Sequence, residues 1–233
     1  MLHRNCKTYF ISLFTIVAVS LFTSSALARS HAEDTAIQKD YPSDSLNMIY
    51  TLDLDPVSGE LLSTVENPVI INHEGREFRF ANEHNATLFT ENPGQYLDNV
   101  NKHLIKSQLP HYPADTCPVS GQPLDSMGGG YNYLHQNRLV RFCCAGCINH
   151  FNSKADQYLS ELDRKVIEDQ RPAYPTTTCP VSGAELGGMG DPVEKVFANR
   201  LVRFCCSGCI DEFKKHPARY ILKLDMEQPG KDE

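Results

Sequence analysis

One spacing, 62 residues, runs through the chain and constrains everything else. Leu-Val-Arg-Phe-Cys-Cys occurs at 139–144 and again at 201–206, and each copy is followed by Gly-Cys at the same offset. Cys-Pro-Val-Ser-Gly occurs at 117–121 and at 179–183. The same period extends upstream, through Tyr50, Tyr112 and Tyr174, through Pro56, Pro118 and Pro180 with Val-Ser-Gly after each, and through Leu62, Leu124 and Leu186. Phe80, Phe142 and Phe204 continue it, then Phe89, Phe151 and Phe213, then Tyr96, Tyr158 and Tyr220. No gap is needed. A period this strict means three copies of one supersecondary unit, expected at 46–107, 108–169 and 170–233.

Each copy predicts the same local structure. In the third, Val193 to Phe197 and Leu201 to Phe204 are β-rich runs joined at Ala198-Asn199-Arg200, a hairpin pattern. In the second, Val140 and Phe142 alternate with Arg141 as in a half-buried strand. Ile148, Phe151, Ala155, Tyr158, Leu159 and Leu162 then recur at helical spacing. Pro217, and Pro93 in the first copy, predict a break in that helix. The fold class is α+β: three tandem modules, each a turn, a β-hairpin and a helix beginning at the cysteine cluster.

A unit of this size is marginal on apolar burial alone and commonly needs a staple. Copies two and three carry one in Cys117, Cys143, Cys144 and Cys147, and in Cys179, Cys205, Cys206 and Cys209. Turn, strand end and first helical turn can converge, as in many small zinc modules. Thiolates at a helix start gain from its unpaired N–H groups. The first copy has Asp55, Ala81, Asn82 and Asn85 instead, so it is expected to bind no soft metal and to compensate by packing Val69, Ile70 and Ile71. Asp55, His73 and His84 form at most a hard-metal set and read better as surface polar residues. Met127 and Met189 share the period and lie in glycine-rich loops. They are candidate additional thioether ligands, or gap fillers beneath the loop. His135 and His150 do not recur and are not expected to be ligands.

The N-terminus reads as a secretory leader. His3, Arg4 and Lys7 precede an apolar run from Phe10 to Phe22, and Ala26-Leu27-Ala28 offers a cleavage site after Ala28. Residues 1–28 are therefore expected to be removed, 29–45 to form a flexible lead-in, and the protein to be periplasmic or extracellular with no membrane span once cleaved. Removing Arg4 and Lys7, with no acid, deepens the formal net charge of -7. Such a chain does not suit nucleic acid or anionic lipid. Cys6 leaves with the leader, and eight cysteines remain.

Three chemistries compete for those eight. An even cysteine count in an exported chain suits disulfides, and Cys143 and Cys144 can bridge to Cys117 and Cys147 in a non-enzymatic interaction protein. Cys144-Ala145-Gly146-Cys147 and Cys206-Ser207-Gly208-Cys209 have the spacing of a thiol–disulfide oxidoreductase, without the surrounding βαβ pattern. Metal binding is favoured. No serine–histidine–acid set, phosphate loop or paired-carboxylate signature supports other enzyme chemistry.

The residues themselves resemble a family. Cys-Pro-Val-x-Gly, then Asn-Arg-Leu-Val-Arg-Phe-Cys-Cys-x-Gly-Cys, then Phe and a late Tyr are similar to the related YHS and TRASH domains, small treble-clef-like metal-sensing or metal-trafficking modules. The first copy looks like the cysteine-poor YHS variants of exported proteins. The resemblance covers essentially the whole chain after the leader. It implies ligands at Cys117, Cys143 and Cys147 and at Cys179, Cys205 and Cys209. Four-cysteine relatives carry another cysteine where this chain has Ser120 and Ser182. With Cys144 and Cys206 as fourth ligands each site suits Zn(II), and with three thiolates it suits Cu(I) better. The expected protein is thus a carrier, buffer or sensor of about one soft ion per cysteine-bearing module, acting with a metal-transport or metal-acceptor partner and without enzymatic activity.

Overall fold

In the computed structural model, residues 46–227 are described. The proposed leader and lead-in lie outside the described residues. The architecture is α+β, with three two-stranded antiparallel hairpins, each followed by two helices. The first repeat holds β1 (Val69–His73), β2 (Arg76–Phe80), α1 (Glu83–Glu91) and α2 (Gly94–Gln108). The second holds β3 (Tyr131–His135), β4 (Arg138–Phe142), α3 (Cys147–Asn152) and α4 (Ala155–Gln170). The third holds β5 (Val193–Phe197), β6 (Arg200–Phe204), α5 (Gly208–Lys215) and α6 (Pro217–Met226).

The hairpin register is the same in all three. Val69 pairs with Phe80, Tyr131 with Phe142 and Val193 with Phe204. The β5–β6 turn is tight, with Ala198 at φ 46° and Asn199 at φ 60°. That left-handed pair matches the twist of the flanking strands. The periodic aromatics form the core of each module. The strand phenylalanine packs on the helix phenylalanine at 5.2, 5.4 and 5.6 Å between ring centroids. The helix phenylalanine packs in turn on the late tyrosine at 6.2, 5.9 and 5.8 Å. These separations lie in the favourable range for aromatic pairs.

Two expectations are corrected here. The helix of the second copy is broken although it has no proline. Lys154 leaves helical geometry at φ -145°, ψ 38°. Across the break Phe151 of α3 stacks on Tyr158 of α4, and Leu159 and Leu162 of α4 join the same core. The aliphatic run of the first copy packs only in part, with Val69 and Ile71 against its core. β1 alternates, and Ile70 faces outward at 47% exposure.

The repeats are interlocked through polar side chains. Gln108, at the end of α2, accepts from Leu139 N (2.8 Å) and donates to Asn137 O (2.8 Å) in the next hairpin. Gln170, at the end of α4, does the same with Leu201 N (2.9 Å) and Asn199 O (2.8 Å). Asn137 donates back to Met48 O and Glu77 O, and Asn199 to Leu139 O. Arg138 is buried where repeats meet, donating to Asn199 Oδ1 (3.0 Å) and Asn47 Oδ1 (3.1 Å) and pairing with Asp163. The first repeat also reaches the third. Arg79 donates to the carbonyls of Lys214 and Lys215 at the end of α5. Leu46 and Ile49 pack in the core that contains Phe197, Phe204 and Phe213.

Candidate metal centre

The Xaa-Pro-Val-Ser-Gly turn wraps around its first side chain. The N–H of Asp55, Cys117 or Cys179 donates to the carbonyl five residues on, at 2.8 Å each time, and the turn glycine donates back at 2.9 Å. Gly59, Gly121 and Gly183 sit at φ 74°, 70° and 73°, a conformation that only glycine adopts without strain. The turn therefore aims several backbone N–H groups at one buried side chain.

In the first copy that side chain is Asp55, 2% exposed. Its Oδ1 accepts from Val57 N (2.7 Å) and Ser58 N (3.0 Å). Its Oδ2 accepts from Ala81 N (2.7 Å) and Asn85 Nδ2 (2.9 Å). A nest of amides of this kind favours an anion. Asp55 is thus fully engaged, His73 packs edge-on to Phe89 at 5.7 Å, and His84 is exposed, so these three do not form a hard-metal set.

Copies two and three place a thiol in the same nest. Burial pushes the Cys117 thiol up, but the Ser120 hydroxyl and the amides of Cys143, Ser120 and Val119 outweigh it and bring it down to about 6. For Cys179, burial is outweighed by the amide and hydroxyl of Ser182 and the amides of Cys205 and Val181, bringing it to about 7. Cys143 directly follows β4, and Cys147 opens α3. Cys205 and Cys209 take the matching places in the third copy.

Among the described residues, two groups can hold a metal: Cys117, Cys143 and Cys147, and Cys179, Cys205 and Cys209. Within each, the sulfurs lie within 4.8 Å of one another and all three residues are buried. Cys143 and Cys147 Sγ are 3.9 Å apart, and Cys205 and Cys209 Sγ 3.7 Å. An ion bonded to sulfur at about 2.3 Å needs sulfurs about 3.8 Å apart, a spacing that the Cys143–Cys147 and Cys205–Cys209 pairs already have. All eight described cysteines are free thiols.

Cys144 and Cys206 lie outside the triads and are half-buried. Cys206 Sγ is 3.9 Å from the sulfurs of both Cys205 and Cys209. Met127 and Met189 are 69% and 71% exposed, so neither fills a gap beneath its loop. His135 packs against Phe151 at 5.3 Å, and His150 is exposed. Sequence reasoning missed Ser120 and Ser182 as participants. Their hydroxyls lie 3.3 Å from Cys143 and Cys205 Sγ.

The uneven acidity of the thiols sets a pH dependence. Burial, then the neighbouring Cys117 and Cys143 thiols, push Cys147 up to about 12, and Cys209 is raised in the same way by burial, Cys205 and Cys179. Each of these must release a proton when an ion binds. Apparent affinity is expected to rise about tenfold or more per pH unit near neutrality. As pH falls, Cys179 takes up a proton through about 7 and Cys117 only through about 6. Both repeats are therefore expected to lose their ions as the solution turns acid. Chelator competition from pH 5 to 8 on variants carrying one site each checks the loss.

Compared with known proteins, the chain matches no family profile, no curated sequence and no solved structure. No described helix is long and apolar enough to cross a membrane.

Proposed function

We propose that this chain is an exported carrier or buffer of a soft metal ion, built from three treble-clef-like modules of the YHS and TRASH type and without enzymatic activity of its own. The observation that carries this reading is the conserved geometry of the amide nest across the three copies. The nest holds a carboxylate in the copy without cysteines. In the other two it holds a thiol made unusually acidic, with two more thiols converging on it. Two disulfides per module would have to draw on Cys144 or Cys206, which lie outside the converging groups. A thiolate triad uses the three converging sulfurs. The cargo is one ion each in the second and third repeats. Three buried thiolates favour Cu(I). The position of Cys206, near two triad sulfurs, keeps Zn(II) with four thiolates as the second reading. The metal enters from, or leaves to, a transport or acceptor protein outside the cytoplasm.

Changing Cys143 to Ser removes one triad member. Metal content is expected to fall from about two ions per chain to about one. The near-ultraviolet signature of the first repeat's tyrosines should be unchanged. Full retention of both ions would contradict the assignment.

A further inference from the structure

The proposed metal reading leaves one recurrent feature unused: the second cysteine of each Cys-Cys pair. We propose that Cys144 and Cys206 are exchange ligands, which pass a soft ion between the buried triad and the thiolate of a metal-carrying protein. This rests on the metal-binding reading and adds a route to it.

Three observations support it. The triad residues are closed off, at 1%, 6% and 8% exposure in the second repeat and 0%, 5% and 8% in the third. The triad sulfurs are thus far less open to a partner's ligand than their neighbours Cys144 and Cys206. These two are the half-exposed thiols beside each triad. Cys206 Sγ stands 3.9 Å from two triad sulfurs, and Cys144 holds the equivalent position beside Cys143 in the second repeat. A glycine also stands beside each of these sulfurs. A Cβ on Gly146 would lie in van der Waals contact with Cys144 Sγ at 3.6 Å, and one on Gly208 with Cys206 Sγ at 3.9 Å, so glycine at both positions leaves that side of the sulfur uncovered.

The first repeat indicates what this position does when no triad is present. There it is Asn82, whose Oδ1 caps α1 by accepting from Asn85 N (3.0 Å). A helix cap alone therefore needs no sulfur. In the proposed step, the thiolate of Cys144 bonds to the ion as the bond to Cys147 breaks, and the released Cys147 sulfur takes a proton from water. The partner's thiolate then bonds to the ion as the remaining protein bonds break. The oxidation state of the ion does not change.

The test uses the full chain loaded anaerobically with Cu(I) and the coloured chelator bicinchoninate as acceptor. The variant Cys144→Asn with Cys206→Asn borrows the first repeat's own cap, which protects folding, and Cys144→Ser with Cys206→Ser is the second variant. Both are expected to keep the wild-type copper content and to release it to the chelator at least about tenfold more slowly, because the change acts on the dissociation step. An unchanged or faster rate with full copper content would overturn the exchange role alone. Loss of copper from the variants would also overturn it, making these thiols holding ligands. A wild-type chain that retains no copper and no zinc would overturn the metal reading together with it.

Discussion

Replacing Asp55 with alanine is expected to cost the fold about 3–5 kcal/mol, the range for leaving buried donors to a charged group without their partner. The carboxylate accepts from Val57 N, Ser58 N, Ala81 N and Asn85 Nδ2. It thereby ties the turn, the end of β2 and the start of α1 together, the three elements that the triad joins in the other copies. Alanine leaves all four donors without their acceptor, Asn85 Nδ2 in a buried position, with a void at their centre. Equilibrium urea unfolding of the metal-free chain measures the loss. Asp55→Asn, which keeps the size but presents two donors to a nest of donors, should still lose more than half as much. A cost below about 1 kcal/mol for alanine would mean that the network is dispensable.

Metal loading is expected to have an effect at least as large, confined to the other two repeats. An ion that binds only the folded chain stabilises it by about 4 kcal/mol per site at a free concentration of about a thousand times its dissociation constant. Unfolding of the loaded and chelator-stripped protein should therefore differ by several kcal/mol. The difference should vanish in a chain carrying Cys143→Ser and Cys205→Ser. The stripped wild-type protein should remain folded, because the first repeat and the interlocking glutamines do not depend on the ion. Identical curves with and without metal would show that the thiols contribute nothing as ligands.

The two effects arise from the same place in the module, and that place was only half legible in the sequence. The period alone located the hairpins and the cysteine positions. Pro93 and Pro217 marked where two helices divide. What the sequence did not reveal was that Asp55 substitutes for the triad. A carboxylate reads as a surface residue until the amides aimed at it are seen. The aliphatic run at Val69, Ile70 and Ile71 looked like the compensation, but strand alternation turns Ile70 outward. The break at Ser153 and Lys154 carries no proline to announce it.

The contacts between repeats were the least legible. Gln108, Asn137, Gln170 and Asn199 are polar residues of types usually found on surfaces. Their placement between repeats follows from backbone groups that each hairpin turn leaves open and the preceding helix end must satisfy. Arg79 is equally uninformative in sequence, since its equivalents Arg141 and Arg203 lie over Tyr112 and Tyr174 instead. Only the folded chain shows that it caps the helix beginning at the third repeat's cysteines.

The most direct test is native mass spectrometry of the chain isolated from cells without air or added metal, with free thiols counted on the same sample after chelation. The account predicts about two soft ions per chain, one for each cysteine triad, and eight reactive thiols once they are removed. A chain with no metal and no free thiols would contradict it and make the protein a disulfide-stapled scaffold.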